Sequence, residues 1–480
     1  MAKPVDYNSQ PALTVTCAPH HAPRPAPHRP TADRRARVRP SSRSAPHHAD
    51  RCCARPVLKL AVVGAGVAGV TTAYELTLDG HEVAVFERRN TIAEEASFAT
   101  GALVAPGWTA DWTGTQRRVR MPWSARPGLG LRLARMPGWG EWPWLWQWSQ
   151  AGKGGGLSEG HRHLHHLLRY SQQRQLAITV ERELDHDRSQ GMLVLWRDER
   201  DADLAQPALA LMRESGVAFK LLGAEQARAL EPALSLETPL HGAVELSGEG
   251  VANCREFALL LRAAAQSMGC RFEFDTRVSS LIPLTDGQVE ITVESGNGPQ
   301  TEKFDAVIVC AGAFSADLLK PLGLRLPLKE VYGQTLSAAV REPLDAPLSA
   351  VLDARSGVSI ARLGQRVRVA GGQEFGATRG EPPKSSLAHL YQVLDDWFPG
   401  AVRLGGSRGS IQEWRGAQAT LPDGLALIGP TRLPGLWLNL GHGASGWSTA
   451  CGSARALADR LQRREPDVDL VGFSPQRFGL

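Results

Sequence analysis

The stretch 58–88, LKLAVVGAGVAGVTTAYELTLDGHEVAVFER, constrains the fold more than any other part of the chain. An apolar run over 58–63 leads directly into GAGVAG, with glycines at 64, 66 and 69. A helix-compatible segment (70–78), a Gly-containing turn and a second strand-like run (81–87) follow. In such a strand–turn–helix–strand unit each glycine has its own reason. Gly64 permits the tight turn, Gly66 lets the backbone approach a pyrophosphate, and Gly69 lets the helix pack close to the strand. The N–H groups and positive dipole end at the helix start favour phosphate. Glu87 closes the second strand 18 residues after Gly69, where a carboxylate takes the ribose hydroxyls of an adenine dinucleotide. The pattern alone fits FAD and NAD equally.

At 480 residues, with 42% apolar and 21% charged, the chain is long enough for two or three domains' worth of structure around a substantial core. No apolar run approaches the roughly 20 residues of a membrane-crossing helix. The net charge of +5 comes from the N-terminal end, where residues 1–57 hold 10 Lys/Arg against 3 Asp/Glu. The rest is slightly acidic, and nothing in that balance argues for nucleic acid. The seven cysteines (17, 52, 53, 254, 270, 310 and 451) form no C-x-x-C pair and no cluster at zinc spacing. No metal site is expected, and a reduced, cytosolic compartment is.

Residues 1–56 are rich in Pro, Ala, Arg and His without an apolar period, and read as a disordered basic tail. Eight tryptophans follow at 108, 112, 123, 139, 142, 144, 146 and 148. Two readings stay open for WPWLWQW: aromatic packing in a core, or an interfacial face that touches a membrane. Residues 157–183 predict a polar helix whose histidines at 161, 163, 165 and 166 lie on a solvated face. Helices are also predicted over 201–215, 225–231, 256–268 and 387–397, with strands over 191–196, 289–293 and 306–312. The block 332–371 reads as antiparallel sheet, and the chain closes with a strand (436–440), the turn GHGASG (441–446) and a final helix (447–461).

Together with the glycine fingerprint, ASFATGALVAPGW (96–108), VIVCAGAFSADLL (307–319), LPDGLALIG (421–429) and LWLNLGHGASGWSTACGSA (436–454) resemble one family. It is the FAD-dependent D-amino acid oxidase-like oxidoreductases, in particular their D-amino acid dehydrogenase branch. The resemblance covers about 57–465. It implies an α/β fold in which a Rossmann-like FAD-binding domain is interleaved with a mostly antiparallel α+β substrate domain. The expected FAD-binding segments are 57–112, 225–325 and 425–470, and the expected substrate segments 113–224 and 326–424. Carried over residue by residue, Gly64, Ala65, Gly66, Val67, Ala68 and Gly69 cradle the pyrophosphate, with Ser97 near it. Glu87 and Arg88 belong at the adenosine, Val278 meets the adenine through its backbone, and Gly312 closes a strand beside the cofactor. The turn Gly441, His442, Gly443 and Gly446 faces the flavin's N1–C2=O edge, where N–H groups and a helix dipole stabilise negative charge. The FAD is expected to be non-covalent, since the cysteine that sarcosine oxidases carry before their PD motif is absent and Gly416 stands nearby.

The chain departs from that family where the substrate carboxylate should bind. A GLRPxTPDG-type segment there supplies an arginine; here it is WRGAQATLPDG (414–424), with Gln418 at the arginine's place. Arg415 is three residues earlier, an odd offset that points it to the other face of an extended strand. Arg362, at the position of a family arginine, is the other cation expected to reach the pocket. Tyr332 is either a pocket tyrosine or a sheet-face aromatic. Thr100 and Leu103 replace an Asn and a Gln typical of the branch. The implied activity is oxidative deamination of an amino acid, a D-amino acid by resemblance, to a 2-oxo acid and ammonia, with Tyr332, Arg362, Gln418 and His442 around the substrate. A glycine- or sarcosine-like amine as substrate, or a flavin-binding protein with impaired catalysis, stays open. The acceptor is a quinone, an electron-transfer protein or oxygen. The implied location is cytoplasmic, with peripheral contact at the inner face of the cell membrane if the Trp-rich segment is interfacial.

Overall fold

The computed structural model describes residues 56–108, 119–122, 130–151, 159–403 and 411–480. The basic tail with Cys17, Cys52 and Cys53, and the tryptophans Trp112 and Trp123, lie outside these residues.

The apolar run before the glycines forms the strand Lys59–Val63, buried on both faces, as its unbroken LAVV requires. It lies in a six-stranded sheet, beside Ala306–Val309 on one side and Glu82–Phe86 on the other, both parallel to it. Leu436–Leu440 and Arg271–Glu273 extend the parallel part outward, and Leu427–Pro430 adds an antiparallel edge. Leu60 and Val62 face helices, among them Val67–Leu78, Glu159–Glu181, Cys254–Ser267 and Gly446–Leu461. Ala61 and Val63 face a three-stranded antiparallel sheet built from Arg277–Pro283, Val289–Ser295 and Gly298–Phe304. The carboxyl ends of parallel strands are where open α/β sheets place ligands.

Above them lies a larger, mostly antiparallel sheet of eleven strands. Its order begins Ile411–Thr420, Lys329–Ala339, Arg366–Phe375, Val358–Leu363, Ala350–Asp353, and continues through Ser189–Trp196 and Gly242–Val251 to Leu103–Val104. Leu336, Val369 and Ile360 on one face pack under the helix Lys384–Trp397. The alternate residues, such as Thr335, Ala370 and Ser359, face a cavity that also touches the start of the last helix.

Three expectations change. On the helix Glu159–Glu181 His166 is exposed and His161 and His163 are half-buried, but His165 is buried with Leu164, Leu167 and Leu168, and the leucines join the core under the last helix. Burial pushes His165 down to about 4. WPWLWQW is a helix, Trp142–Gln150, with Pro143 tolerated in its first turn. The spacing that reads as alternation becomes i, i+4, so Trp144 and Trp148 are buried while Trp142 and Trp146 are exposed. The segment boundaries also move, because Leu103–Val104 and Gly242–Val251 belong to the large sheet while the helix Glu159–Glu181 packs with the parallel one.

The helix layer is tied together by buried charge. Glu75, fully buried, takes Arg174 Nε at 2.6 Å and Nη2 at 3.0 Å, and Arg455 Nη1 at 2.8 Å. Arg455 continues to Asp79 and Asp459, which also receive Arg464. Three helices therefore close on one carboxylate. Removing it takes the close carboxylate from the part-buried Arg174 and one of three from Arg455, so Glu75→Ala should lose about 3–5 kcal/mol of unfolding free energy in urea titrations. A loss below about 1 kcal/mol would mark the network as no stronger than a surface pair.

Candidate functional site

Two adjoining cavities of about 540 and 260 Å³ meet at Ala96 and Gln418. The larger runs along the carboxyl ends of the parallel strands.

The three glycines of the fingerprint divide their work as their spacing requires. Gly64 has φ +99°, and a Cβ there would lie 2.8 Å from the carbonyl oxygen of Cys310. A Cβ on Gly69 would lie 1.9 Å from the carbonyl oxygen of Gly64. These two glycines serve protein packing. Gly66 is different: a Cβ there meets only Ser97 Oγ, at 3.4 Å, and the residue borders the cavity. A bare backbone at the helix start with room in front of it fits a pyrophosphate. Glu87, buried, accepts the Ala65 N–H at 2.7 Å and the Arg89 N–H at 2.9 Å, which fixes its carboxylate at the cavity wall. Ser97 Oγ accepts the Val67 N–H at 3.1 Å. Ala68, Arg88, Val278 and Gly312 line the same cavity. Arg88 lies 3.2 Å from the ring centroid of Phe314, and Arg379 reaches that ring from the large sheet's side at 3.9 Å. Phe314 and Arg379 were invisible in the sequence, since one sits in a short 3₁₀ turn and the other in a loop without a motif.

At the other end of the larger cavity is the glycine-rich turn. Gly441 (φ +79°) and Gly443 (φ +54°) hold left-handed conformations, and Gly446 opens the last helix. The His442 side chain is engaged on both nitrogens. Asn439 Nδ2 donates to Thr72 at 3.0 Å, which leaves its Oδ1 to accept from His442 Nε2 at 3.0 Å. Thr449 Oγ1 lies 2.9 Å from Nδ1. Burial lowers the imidazole's pKa to about 4, so it is neutral. Its role is to brace the turn, and the backbone N–H groups and helix dipole are what the turn offers a ligand.

Gln418 lies opposite Val331 and faces both cavities. Gly333 makes room for it, since a Cβ there would sit 2.9 Å from Gln418 Nε2. Around the smaller cavity Gln418 Oε1, both amide atoms of Gln334, Thr335 Oγ1 and Trp108 Nε1 are buried without a protein partner among the described residues. Buried polar atoms left open in one place are what a polar ligand satisfies.

Tyr332 and Arg362 do not join this group. Tyr332 is opposite Ala417, one step out of phase with Gln418, so its ring is on the helix-covered face. Its hydroxyl donates to Glu330 at 2.6 Å, and Arg415, on the same face, lies over its ring and pairs with Glu374 at 2.5 Å. Arg362 likewise alternates away from Ala361 and donates to the carbonyls of Gly364 and Pro343, each at 3.2 Å. Of the substrate residues expected from the sequence, the structure brings together Gln418 and the His442 turn.

The glycine geometry separates two roles experimentally. Gly69→Ala should destabilise the apoprotein by about 1–3 kcal/mol, read by urea unfolding. Gly66→Ala should leave apoprotein stability within about 0.5 kcal/mol and weaken FAD binding at least about tenfold in a flavin-fluorescence titration. Equal effects of both on folding would contradict the assignment.

Residues 59–460 match the family described as FAD dependent oxidoreductase. The chain is 33% identical over 432 residues to a D-amino acid dehydrogenase of Cereibacter sphaeroides, covering 88% of this chain and 95% of that protein. A D-amino acid dehydrogenase of Bradyrhizobium diazoefficiens is also 33% identical, over 88% of this chain and 99% of its own length. Among solved structures, glycine oxidase from Geobacillus kaustophilus superposes with a TM-score of 0.66 at 21% identity, over 88% of this chain and 98% of that one. Iminodiacetate oxidase from Chelativorans gives 0.64 at 21% identity, over 87% and 99%. The fold is therefore theirs, and the bare Gly66 backbone, the Glu87 carboxylate and the Gly441–Gly446 turn suit one long dinucleotide. The chain belongs to the FAD-dependent oxidoreductases, and FAD is its cofactor.

Proposed function

We propose that this protein is an amino-acid dehydrogenase that deaminates a D-amino acid oxidatively to its 2-oxo acid and ammonia. The observation that carries this reading is the similarity, along 88% of the chain, to proteins named D-amino acid dehydrogenase. The cavity of unsatisfied polar atoms that adjoins the cofactor cavity at Gln418 supports it.

FAD bound in the larger cavity supplies the hydride acceptor. The α-C–H bond breaks with its electron pair leaving as hydride, the neutral amine nitrogen's lone pair forms C=N, and water then replaces nitrogen as ammonia. The protein's part is orientation and electrostatics. The turn at Gly441–Gly446 directs N–H groups and a helix dipole toward growing negative charge. His442, neutral and bonded to Asn439 and Thr449, holds that turn without exchanging a proton. Gln418 offers an amide to the substrate.

A second reading follows from Gln418 itself. An uncharged residue there suits a smaller or secondary amine, such as a glycine- or sarcosine-like one. For the acceptor, a quinone or electron-transfer protein fits a dehydrogenase better than oxygen does. Trp139, Trp142 and Trp146 are exposed near one another in sequence, in keeping with a peripheral membrane contact at the inner face of the cell membrane. No helix among the described residues is long and apolar enough to cross a membrane.

Anaerobic mixing of the holoprotein with D-, L- and N-methyl amino acids tests the substrate class by flavin bleaching at about 450 nm. Neutral D-amino acids should bleach it at millimolar concentration; bleaching by N-methylglycine alone would favour the second reading. If nothing in the panel reduces a bound flavin, the dehydrogenase assignment is wrong. Separately, a Trp139→Ala/Trp142→Ala/Trp146→Ala variant should lose co-sedimentation with anionic vesicles. Identical behaviour of parent and variant would remove the membrane contact.

A further inference from the structure

Arg368 lies mid-strand in Arg366–Phe375, opposite Ser337 and Ala361, and is 7% exposed. Nη1 donates to the carbonyl of Thr100 at 3.4 Å, Nε is buried without a partner, and no carboxylate among the described residues pairs with it. That is exceptional here. Arg174, Arg197, Arg415 and Arg455, each 16% exposed or less, all close on carboxylates. The nearby thiol of Cys254 is no counter-ion, because burial raises it to about 12 and keeps it neutral. Desolvation, helped by the positive charge of Arg366, lowers the Arg368 guanidinium to about 10 against the opposing pull of Asp187, which acts on it without pairing. A buried cation that closes on no carboxylate is costly to retain, so the fold holds it ready for an anion that arrives.

Position says where that anion binds. Strand alternation places Arg368 on the same face as Ala370. Ala370, its partner Ser359, and Thr100 all line the smaller cavity. The Arg368 guanidinium meets that wall at Thr100, whose carbonyl lies 3.4 Å from Nη1. The opposite end of the cavity carries Gln418, which has no charge.

We propose that Arg368 is the cation that receives the substrate's carboxylate, and so determines that the substrate is a carboxylated amine held with its acid group at the Thr100–Ser359–Ala370 end of the cavity. Arg415 and Arg362, the two cations that the sequence offers, face away from it. The assignment rests on the dehydrogenase reading for the identity of the substrate, and on the buried guanidinium alone for the anion site.

The test uses the flavin-loaded protein with benzoate, a carboxylate without an amine, titrated through its perturbation of the flavin spectrum. Arg368→Gln should weaken benzoate at least about 30-fold, the loss of a charge-assisted pair. Arg368→Lys, which keeps the charge but not the fork, should stay within about tenfold of the parent. With D-alanine as reductant, Arg368→Gln should raise KM far more than it lowers kcat. Benzoate binding to Arg368→Gln within about threefold of the parent would overturn the assignment. Should that variant fail to fold, the parent decides: D-alanine should reduce the flavin at far lower concentration than D-alaninamide, and equal half-saturation would refute the cation's role. Absence of reduction by any amine would sink the dehydrogenase reading, while the benzoate titration would still judge Arg368.

Discussion

The contact on which the rest of the site depends is the approach of the first helix to the first strand at Gly69. With a Cβ only 1.9 Å from the Gly64 carbonyl oxygen, no side chain fits there. Absence of one lets the helix start directly over the strand end. From that placement follow the open backbone at Gly66 and the reach of Glu87 to the Ala65 N–H. The same helix carries Glu75 into the buried charge cluster with Arg174 and Arg455, so a local glycine contact and a long-range network set one geometry. One makes the phosphate site and the other keeps the helices from drifting off it.

The large sheet does a different job, governed by alternation. The unbroken ladder between Ile411–Thr420 and Lys329–Ala339 sets which side chains look toward the cofactor cavity. Gln418 does, with Gly333 leaving it room, while Tyr332 and Arg415 look toward the helix above, where Glu330 and Glu374 occupy them. Charge is therefore divided between the two faces. Cations that meet carboxylates sit on the covered face, and the guanidinium that pairs with none lies against Thr100, a residue of the cavity wall. An orientation-dependent reaction needs this kind of asymmetry more than it needs an acid or a base.

Much of the nucleotide half was legible in the chain because its constraints are local. Gly69 answers to Gly64, five residues before it, and the glycine spacing and the turn before the last helix are written in short stretches, although Gly64 also packs against the distant Cys310 carbonyl. Elsewhere the deciding partner is remote. Leu164, Leu167 and Leu168 lie among histidines in a polar stretch, yet the last helix, nearly 300 residues further on, joins them in one core. Trp144 and Trp148 alternate like strand residues until Pro143 begins a helix and Phe375 gives them a surface. Tyr332, open between pocket and sheet face, and Arg362, expected at the pocket, both turn away from the cavity, because a short strand's pattern shows that two faces differ without showing which is covered. RVRV places Arg368 with Ala370 by simple alternation, but its lack of a carboxylate becomes visible only once the neighbouring strands are in place.

The measurement that bears most directly on the whole arrangement is a crystal structure of the holoprotein with benzoate. FAD should lie with its adenine beside Val278, its pyrophosphate over Gly66 and its ring edge on the Gly441–Gly446 turn, and the benzoate carboxylate should meet the Arg368 guanidinium. A dinucleotide bound elsewhere, or a flavin whose ring leaves that turn empty, would contradict the site as built from these residues.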